Sequence, residues 1–274
     1  NNTTNCKRLL CSSSTKKSQP TVPSPPLPTS FDWRKSSFVT PVVDQGKCGC
    51  CWAISAVGAL EGAYAIKYNN LKRFSFQQLI SCSLNANKYL LGCGGGNLVK
   101  AYDWIKNNNG LCSYDEYPFT DKGGSTSQCL QKNCTINVDL IKKSIVIGDV
   151  SNPNIARLSE NDLINALIKY GPLSVGVSLW PPKYWKIYKS GILSDSTDKH
   201  SCPLGPAINH SVLLVGYGQE KINDVDIKYC LIKNSWGTDW GENGYIKLLR
   251  GDCPTGKYYY GHFGIFANVS VPVL

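Results

Sequence analysis

Small and apolar residues recur at helical spacing from Cys50 to about Lys67, and they predict a buried helix that begins at Cys50 or Cys51. Three more helices are indicated by N-cap residues or by neighbouring glycine turns. They are predicted over Ser75 to Ser81 with Ser75 as the N-cap, over Asn97 to Asn107 after a triple-glycine turn, and over Ser159 to Tyr170 before Gly171. The first part of the packed chain is therefore predicted to be mainly helical.

The pattern changes after Gly171, where short β-prone runs alternate with glycine turns. The runs are LSVGVSL, SVLLVGYG, YCLIKNSWG and GYIKLLR, which are typical of an antiparallel barrel or sandwich. Because helices come first and strands second, the sequence predicts an α+β fold with two lobes. Residues 1–30 are polar and rich in serine and proline. We expect them to form an N-terminal extension, with the packed domain over residues 31–274.

The composition is that of a folded globular protein. Of the 274 residues, 42% are hydrophobic and 18% are charged. Disordered chains have fewer hydrophobic residues and more net charge. No apolar run approaches the roughly 18 residues of a membrane span. The net charge of +10 comes from scattered basic pairs without the basic runs and interleaved aromatic residues of a nucleic-acid platform. We therefore expect no membrane span and no nucleic-acid partner.

Cysteine is abundant and methionine is absent. The chain has 13 cysteines, three histidines and no methionine. The repeated C-x-x-C pairs of zinc sites are missing, so we expect neither a metal nor a cofactor. A disulfide-permissive compartment accounts for the cysteines, and we expect a secreted protein or one in a lysosome-like or vacuole-like compartment. Without methionine the chain does not start at an initiator, so we expect residues upstream to have been removed or left out.

Three separate segments carry the parts needed for nucleophilic catalysis. Cys51 lies at the predicted N-terminus of the first helix, where the helix dipole favours a thiolate. His210 precedes a predicted strand, and Asn234 lies in the run KNSWG. A thiol, an imidazole and an amide are a nucleophile, a base and a group that orients the base. Taken singly, each residue is more often structural, as most buried cysteines are.

The order of the motifs resembles that of the papain-like cysteine peptidases, the cathepsin L-like branch most closely. The resemblance covers about Leu27 to Leu274 and includes PTSFDWRK, VTPVVDQGKCGCCWAISAVGALEG, GCGGG, YPF, GPLSVGV, INHSVLLVGYG and KNSWGTDWGENGYIKL. Their joint order is very hard to obtain by chance. In this context Cys51 is expected to be catalytic rather than structural. The resemblance implies a papain-like fold with a helical left lobe, an antiparallel β-barrel right lobe and an active-site cleft between them.

The resemblance also implies catalytic roles for individual residues. Cys51 matches the nucleophile, and His210 matches the partner with which it forms a thiolate–imidazolium pair. Asn234 matches the residue that orients the imidazole, and Gln45 matches the side-chain donor of the oxyanion hole. Two aromatic residues are expected to support the site: Trp52 and Trp236. The second of these is expected to shield the contact between histidine and asparagine from water.

Further matches indicate where substrate binds. Gly95 and Gly96 are expected to line an extended peptide, because the missing side chains allow main-chain hydrogen bonds. The specificity pocket is expected to involve Asn97, Leu98, Gly176, Ile208, Ser211 and Asn268. Gly176 and Ile208 favour a roomy and partly apolar pocket for a bulky hydrophobic residue. The two asparagines leave a more polar preference open.

The resemblance supports disulfide bonds in both lobes. In the helical lobe they are Cys48–Cys93, Cys82–Cys129 and Cys112–Cys134. In the second lobe Cys202 matches a bridge cysteine whose usual partner is replaced by Phe263, and Cys253 is the expected substitute. Cys50 is expected to be a buried or externally bridged thiol rather than a redox trap for Cys51, because adjacent side chains point in opposite directions. The remaining cysteines, for which no pairing is fixed, are Cys6, Cys11 and Cys230.

These matches imply a cysteine endopeptidase that hydrolyses peptide bonds through a thioester acyl-enzyme. Peptides or proteins are the expected substrates, cystatin-like proteins are expected inhibitors, and a monomer is expected. The family's long inhibitory prosegment is absent, so we expect a mature or shortened form of a zymogen. Two alternatives stay open, a catalytically silent papain-fold binding module and an acyltransferase that uses the same Cys–His pair.

Overall fold

The chain folds into a mixture of helices and strands, with three helices in its first half and most strands in its second half. The computed structural model describes residues 26–84, 86, 88–130, 134, 141–149, 152, 158–195, 207–251 and 260–274. In this part of the chain the α-helices are α1 (Cys51–Tyr68), α2 (Phe76–Cys82), α3 (Leu98–Asn107), α4 (Glu160–Tyr170) and α5 (Pro182–Ile187). The strands are β1 (Phe31–Asp32), β2 (Lys143–Asp149), β3 (Leu173–Val177), β4 (Ile192–Leu193), β5 (His210–Ile222), β6 (Val225–Lys233), β7 (Tyr245–Leu249) and β8 (Asn268–Val273).

Helices α1 to α4 begin and end within one residue of their predicted limits. The side-chain caps of α2, α3 and α4 are strong local signals, whereas α1 has no side-chain cap and was predicted from the spacing of its small and apolar residues. The Ser75 hydroxyl accepts the Gln78 N–H at the start of α2. Ser159 and Asp162 form a complete capping box on α4. Helix α5 was not predicted, since it has only six residues and begins with a proline pair. None of the helices in the described ranges is long and apolar enough to span a membrane.

Helix α1 is buried on almost every side. Twelve of its 18 residues are buried, and most of them are small. A Cβ added at Gly58 would lie 3.0 Å from the Leu213 side chain, and one added at Gly62 would lie 2.6 Å from Pro172. The small residues therefore allow α1 to pack closely against the strand lobe, while α2 and α3 pack against it within the helical lobe.

The strands form one sheet in the order β2-β8-β3-β5-β6-β7-β4, with β1 paired to β5. The pairs are antiparallel except for β4 and β7, which run parallel and so depart from the predicted all-antiparallel lobe. A large apolar core lies between this sheet, α4 and α5, and a second core fills the helical lobe. The predicted α+β class and its two lobes are confirmed.

The packed chain begins before Phe31. Leu27 packs against the core of the strand lobe, and the Pro28 carbonyl accepts a 2.8 Å hydrogen bond from the Tyr217 hydroxyl. Residues 1–25 lie outside the described part of the chain, so the N-terminal extension over residues 1–30 stays a prediction.

Buried hydrogen bonds join the two lobes through α1. The Ser55 hydroxyl donates to the Val212 carbonyl of β5 at 2.7 Å. The Ser174 hydroxyl of β3 donates to the Ser55 carbonyl at 2.8 Å, and it also lies 2.8 Å from the Tyr102 hydroxyl of α3. Since buried polar groups are costly to leave unpaired, these contacts fix the position of α1 against β3 and β5.

A buried pair of opposite charges also crosses between the lobes. Thr40 links the two groups, because its hydroxyl donates to Glu61 of α1 at 2.5 Å and accepts from the Lys233 ammonium of β6 at 3.1 Å. The Phe74 N–H donates to the second Glu61 oxygen at 2.8 Å. Burial raises the pKa of Glu61, and it lowers the pKa of Lys233 to about 8 against the attraction of Glu61. Each charge therefore depends on the other.

We expect Lys233→Met to lower the free energy of unfolding by about 3–5 kcal/mol, because it removes the ammonium whose attraction most favours the buried Glu61 carboxylate and leaves only the weaker attraction of Arg73. The second change Glu61→Gln should recover most of this loss, since its amide still accepts from Phe74. Urea denaturation of the oxidised protein measures both values. A Lys233→Met protein that is as stable as the parent would contradict this account of the charge pair.

Candidate active site

His210 and Asn234 are held together by neighbouring strands. His210 begins β5 and Asn234 directly follows β6, and these strands pair with Leu213 opposite Lys233. The His210 Nε2 lies 2.8 Å from the Asn234 Oδ1, and both side chains are buried. Because the amide oxygen can only accept, Nε2 carries the proton, and Nδ1 keeps a lone pair in the neutral ring.

Cys51 is the first residue of α1, and its thiol reaches the start of β5. The backbone N–H of Ser211, the residue after His210, donates to the Cys51 sulfur, as do backbone N–H groups of the first helical turn. This hydrogen bond brings the thiol to the strand that carries His210. The helix packing through Ser55 and Val212, one turn further on, supports the same placement.

Burial acts on the two reactive groups in opposite directions. It raises the pKa of the Cys51 thiol, although the N–H of Ser211 and the N–H groups of the helix N-terminus favour the thiolate. Burial lowers the pKa of His210 to about 4, although the Asn234 oxygen favours the protonated ring. Neither group is therefore easily charged alone. Transfer of the thiol proton to the imidazole would charge both groups together, so that their mutual attraction would offset the cost of burial. This thiolate–imidazolium pair stays a prediction.

Gln45 is held in one orientation by a hydrogen bond at each end of its amide. Its Nε2 donates to the Cys48 carbonyl at 2.7 Å, and its Oε1 accepts from the Ser235 hydroxyl at 2.5 Å. Its backbone N–H also donates to the Ser235 carbonyl at 2.9 Å. Gln45 is thus tied both to the loop before Cys51 and to the segment that carries Asn234. The second N–H of its amide is left to bind another acceptor.

Aromatic rings enclose His210. The Trp236 ring lies 5.2 Å from the imidazole at 31°, and its role as a shield for the bond between His210 and Asn234 stays a prediction. Trp185 of α5 approaches the imidazole edge-on at 6.4 Å and was not identified from the sequence. Its only signal is its place in the aromatic segment WPPKYWKIY.

Trp52 supports the glycine turn of the helical lobe, which faces the lobe that carries His210. Its Nε1 donates to the Gly92 carbonyl at 3.1 Å, and a Cβ added at Gly96 would lie 2.3 Å from its ring. A side chain at position 96 is therefore excluded. Gly95 has a φ of +115°, which favours glycine, and an added Cβ would meet nothing within 4 Å. The Gly95 backbone itself is bonded within the turn, because its N–H donates to the Gly92 carbonyl at 3.4 Å and its carbonyl accepts the Leu91 N–H at 2.9 Å.

Four of the six predicted pocket residues lie together. Gly176 of β3 pairs with Ser211 of β5. A Cβ added at Gly176 would lie 2.7 Å from Ile208 and 3.1 Å from the Cβ of Asn268. The other two lie on α3, where Asn97 caps the helix by accepting the Lys100 N–H at 3.0 Å. Leu98 is buried in the core of the helical lobe. The pocket roles of all six stay predictions.

The structure contains disulfide bonds Cys48–Cys93, Cys82–Cys129 and Cys112–Cys134. Cys50 and Cys230 are free and buried, and burial raises the pKa of each to about 12. At that pKa the Cys50 thiol is unreactive near neutral pH, as expected of a structural cysteine.

Four cysteines lie outside the described residues, so the predicted Cys202–Cys253 bond stays a prediction: Cys6, Cys11, Cys202 and Cys253. Among the described residues no group of three His, Cys, Asp or Glu side chains could hold a metal.

Comparison with known proteins identifies the family. The sequence profile described as "Papain family cysteine protease" matches residues 27–272. The chain belongs to the papain family of cysteine proteases. It is 37% identical over 242 residues to "Cysteine proteinase 1" of Zea mays and 36% identical over 248 residues to "Cathepsin L2" of Homo sapiens. These alignments cover 85% and 90% of the chain but only 59% and 66% of the relatives, so the chain is markedly shorter than either.

Solved structures of papain-family proteases share the fold. The bromelain protease of Ananas comosus, solved with the inhibitor E64, aligns with a TM-score of 0.73 and 31% identity, over 90% of this chain and 100% of that one. The proform of Amb a 11, a ragweed pollen cysteine protease, aligns with a TM-score of 0.74 and 31% identity, over 92% of this chain and 68% of that one. The papain-like fold expected from the sequence is confirmed.

We expect His210→Ala to slow alkylation of Cys51 by iodoacetamide at pH 6 by on the order of a hundredfold or more. Without the imidazole to take its proton, the thiol keeps its burial-raised pKa and forms thiolate only in alkaline solution. In the parent protein, reactivity should fall as the pH drops through about 4, where His210 takes up a proton from solvent.

Mass spectrometry of the alkylated peptide gives these rates residue by residue. Cys51→Ala serves as the control that separates Cys51 from the buried thiols Cys50 and Cys230. A His210→Ala protein that is alkylated at the parental rate at pH 6 would show that the imidazole does not accept the thiol proton.

Proposed function

We propose that this chain is a cysteine endopeptidase in which Cys51 attacks the carbonyl carbon of a peptide bond. The observation that carries the proposal is the 2.8 Å bond between His210 and Asn234 beside a thiol at a helix N-terminus, in a chain of the papain family. The bond keeps the imidazole in the tautomer and orientation in which Nδ1 is free to accept the thiol proton.

The first half of the reaction forms an acyl-enzyme. The Cys51 proton moves to His210 Nδ1, and the sulfur forms a bond to the carbonyl carbon while the π electrons move to the oxygen. The oxyanion accepts hydrogen bonds from the free Nε2–H of Gln45 and from the backbone N–H of Cys51. When the intermediate collapses, the C–N bond breaks and His210 returns its proton to the leaving amine. A thioester remains on Cys51.

The second half releases the acid. The neutral His210 takes a proton from water, and the hydroxide equivalent attacks the thioester carbon in the same oxyanion hole. Collapse breaks the C–S bond and returns the thiolate and imidazolium, while the carboxylic acid departs. We propose that Trp236, whose ring lies 5.2 Å from the imidazole, keeps water from the bond between His210 and Asn234.

Substrates of this site are extended peptides or unfolded protein segments. No side chain at Gly95 or Gly96 would obstruct an extended peptide. Gly176 lies against Ile208 and Asn268 next to the strand that begins at His210, and we place the specificity pocket there. We propose a preference for a bulky hydrophobic residue second from the scissile bond. We further propose that cystatin-like proteins inhibit the enzyme and that it acts as a monomer.

The disulfide bonds support a secreted, lysosomal or vacuolar location. All three of them brace the helical lobe, which carries Cys51 and Gln45. Such bonds persist in oxidising compartments and are rare in the cytosol.

Fluorogenic peptides test the activity directly. We expect Cys51→Ala to abolish cleavage and E64 to block it in the parent. Gln45→Glu should lower kcat by about 10²- to 10³-fold, because the carboxylate keeps the acceptor for Ser235 but loses the donor to the oxyanion. Ser235→Ala is the matched control, since it removes only the support of Gln45 and should cost much less.

The same assays separate the two alternative functions. Amine transfer in place of hydrolysis would favour an acyltransferase, and a folded, reduced protein that cleaves nothing would favour a binding module.

A peptide panel varied at the residue second from the scissile bond tests the pocket. We expect Gly176→Ala to lower kcat/KM for bulky residues by about tenfold or more, because the new methyl group would lie 2.7 Å from Ile208. Small residues at that position should be affected less. Gly123→Ala is the control, since its added methyl group meets nothing within 4 Å. An equal loss for large and small residues would place the pocket elsewhere.

A further inference from the structure

A buried carboxylate outside the catalytic group holds two consecutive residues of the chain. Asp195 follows β4, and its side chain is 1% exposed. Its Oδ1 lies 2.7 Å from Nδ1 of His262, and its Oδ2 accepts the backbone N–H of Phe263 at 2.7 Å. Both oxygens are therefore committed to the turn before β8. The reaction described above does not use any of these three residues.

Phe263 has a backbone conformation that needs such support. Its φ of 55° and ψ of 17° lie in the left-handed region, which residues with a Cβ avoid. Its N–H is held by Asp195, and its carbonyl accepts the N–H of Ser178 at 2.8 Å. A strained backbone of this kind persists only where its surroundings fix it. Here the hydrogen bonds act from both sides of the same residue.

The Phe263 ring supports the aromatic wall of the catalytic histidine. It meets Trp185 edge to face, with ring centroids 5.6 Å apart at 89°. Trp185 is fully buried and meets His210 edge-on at 6.4 Å. On another side Trp185 stacks on Trp240 at 6.4 Å and 10°. Phe263 thus closes one side of the space in which Trp185 can move, and Trp185 limits the movement of His210.

We propose that Asp195 is a positioning residue for His210, acting through the Phe263 turn and the Trp185 ring. The carboxylate holds Phe263 in the left-handed conformation, this conformation presents the ring to Trp185, and Trp185 keeps the imidazole at the angle at which Asn234 and Cys51 can both reach it. The proposal rests on the proposed function in one respect, namely that His210 accepts the proton of the Cys51 thiol.

Steady-state kinetics on fluorogenic peptides gives the first test, with active enzyme counted by E64 titration. We expect Asp195→Ala to lower kcat by about ten- to a hundredfold with KM changed little, because misplacement of a catalytic group acts on the chemical step. Asp195→Asn should stay close to the parent, since its amide oxygen still accepts the Phe263 N–H. The matched control is Asp226→Ala, which removes an exposed carboxylate in β6. Parental kcat in Asp195→Ala would overturn the proposal.

A second pair of variants tests the route through Phe263. Phe263→Leu keeps an apolar side chain and the contact with Asp195 but loses the ring that meets Trp185. We expect it to lower kcat about as much as Asp195→Ala does, and the double variant to be no worse than either, because both changes break one chain of contacts. If the two losses multiply, Asp195 does not act through the ring. Phe263→Leu also keeps the test decisive if Asp195→Ala fails to fold.

The histidine rings provide a readout that does not depend on peptidase activity. The chain has only three histidines, so few ring signals appear in the NMR spectrum of ¹⁵N-histidine-labelled protein, and His210→Gln identifies the signal of interest. We expect this signal to shift in Asp195→Ala and in Phe263→Leu, and to keep its parental position in Asp195→Asn and Asp226→Ala. Unchanged His210 signals would overturn the proposal even in a protein that cleaves no peptide, whereas an inactive parent would count against the proposed function alone.

Discussion

The placement of α1 against β5 is the constraint on which the rest of the site depends. A helix that is buried on nearly every side cannot shift without breaking the packing of both lobes. The hydrogen bond from Ser55 to the Val212 carbonyl fixes the position of α1 along β5. One helical turn earlier, the N–H of Ser211 donates to the Cys51 sulfur. The proposed nucleophile therefore reaches the strand that begins at His210 as a consequence of core packing, and no flexible loop has to bring them together.

The second half of the site is assembled by the continuation of the same sheet. Strand β6 pairs with β5 and ends at Lys233, so that Asn234 and Ser235 emerge beside His210 and Gln45. Lys233 points instead into the protein, toward Thr40 and the Glu61 of α1. One strand end thus joins an interlobe charge pair to the residue that orients the imidazole. Lys233 of the charge pair and Asn234 of the proposed catalytic group are thus neighbours in the chain.

Residues with local signals could be predicted closely from the sequence. The caps Ser75 and Ser159 fixed helix limits because a cap acts within one turn of its own helix. The contact of His210 with Asn234 followed from family motifs, since spacing alone does not bring distant segments together. Trp185 and Asp195 could not be found in this way. Their contacts join residues 25 and 68 positions apart, and the short elements that carry them have no periodicity to detect.

The bond between Cys48 and Cys93 lies three residues from a thiol with the opposite chemical requirement. In the proposed reaction Cys51 acts only when its sulfur is reduced, whereas Cys48 braces the loop before α1 only when oxidised. Cys48 is fully buried, but its partner Cys93 is partly exposed, as Cys51 is. Exposure alone therefore does not protect the disulfide bond from a small thiol in solution. The proposed activity needs a medium of intermediate redox potential, which keeps Cys51 reduced and leaves the bond that braces its loop intact.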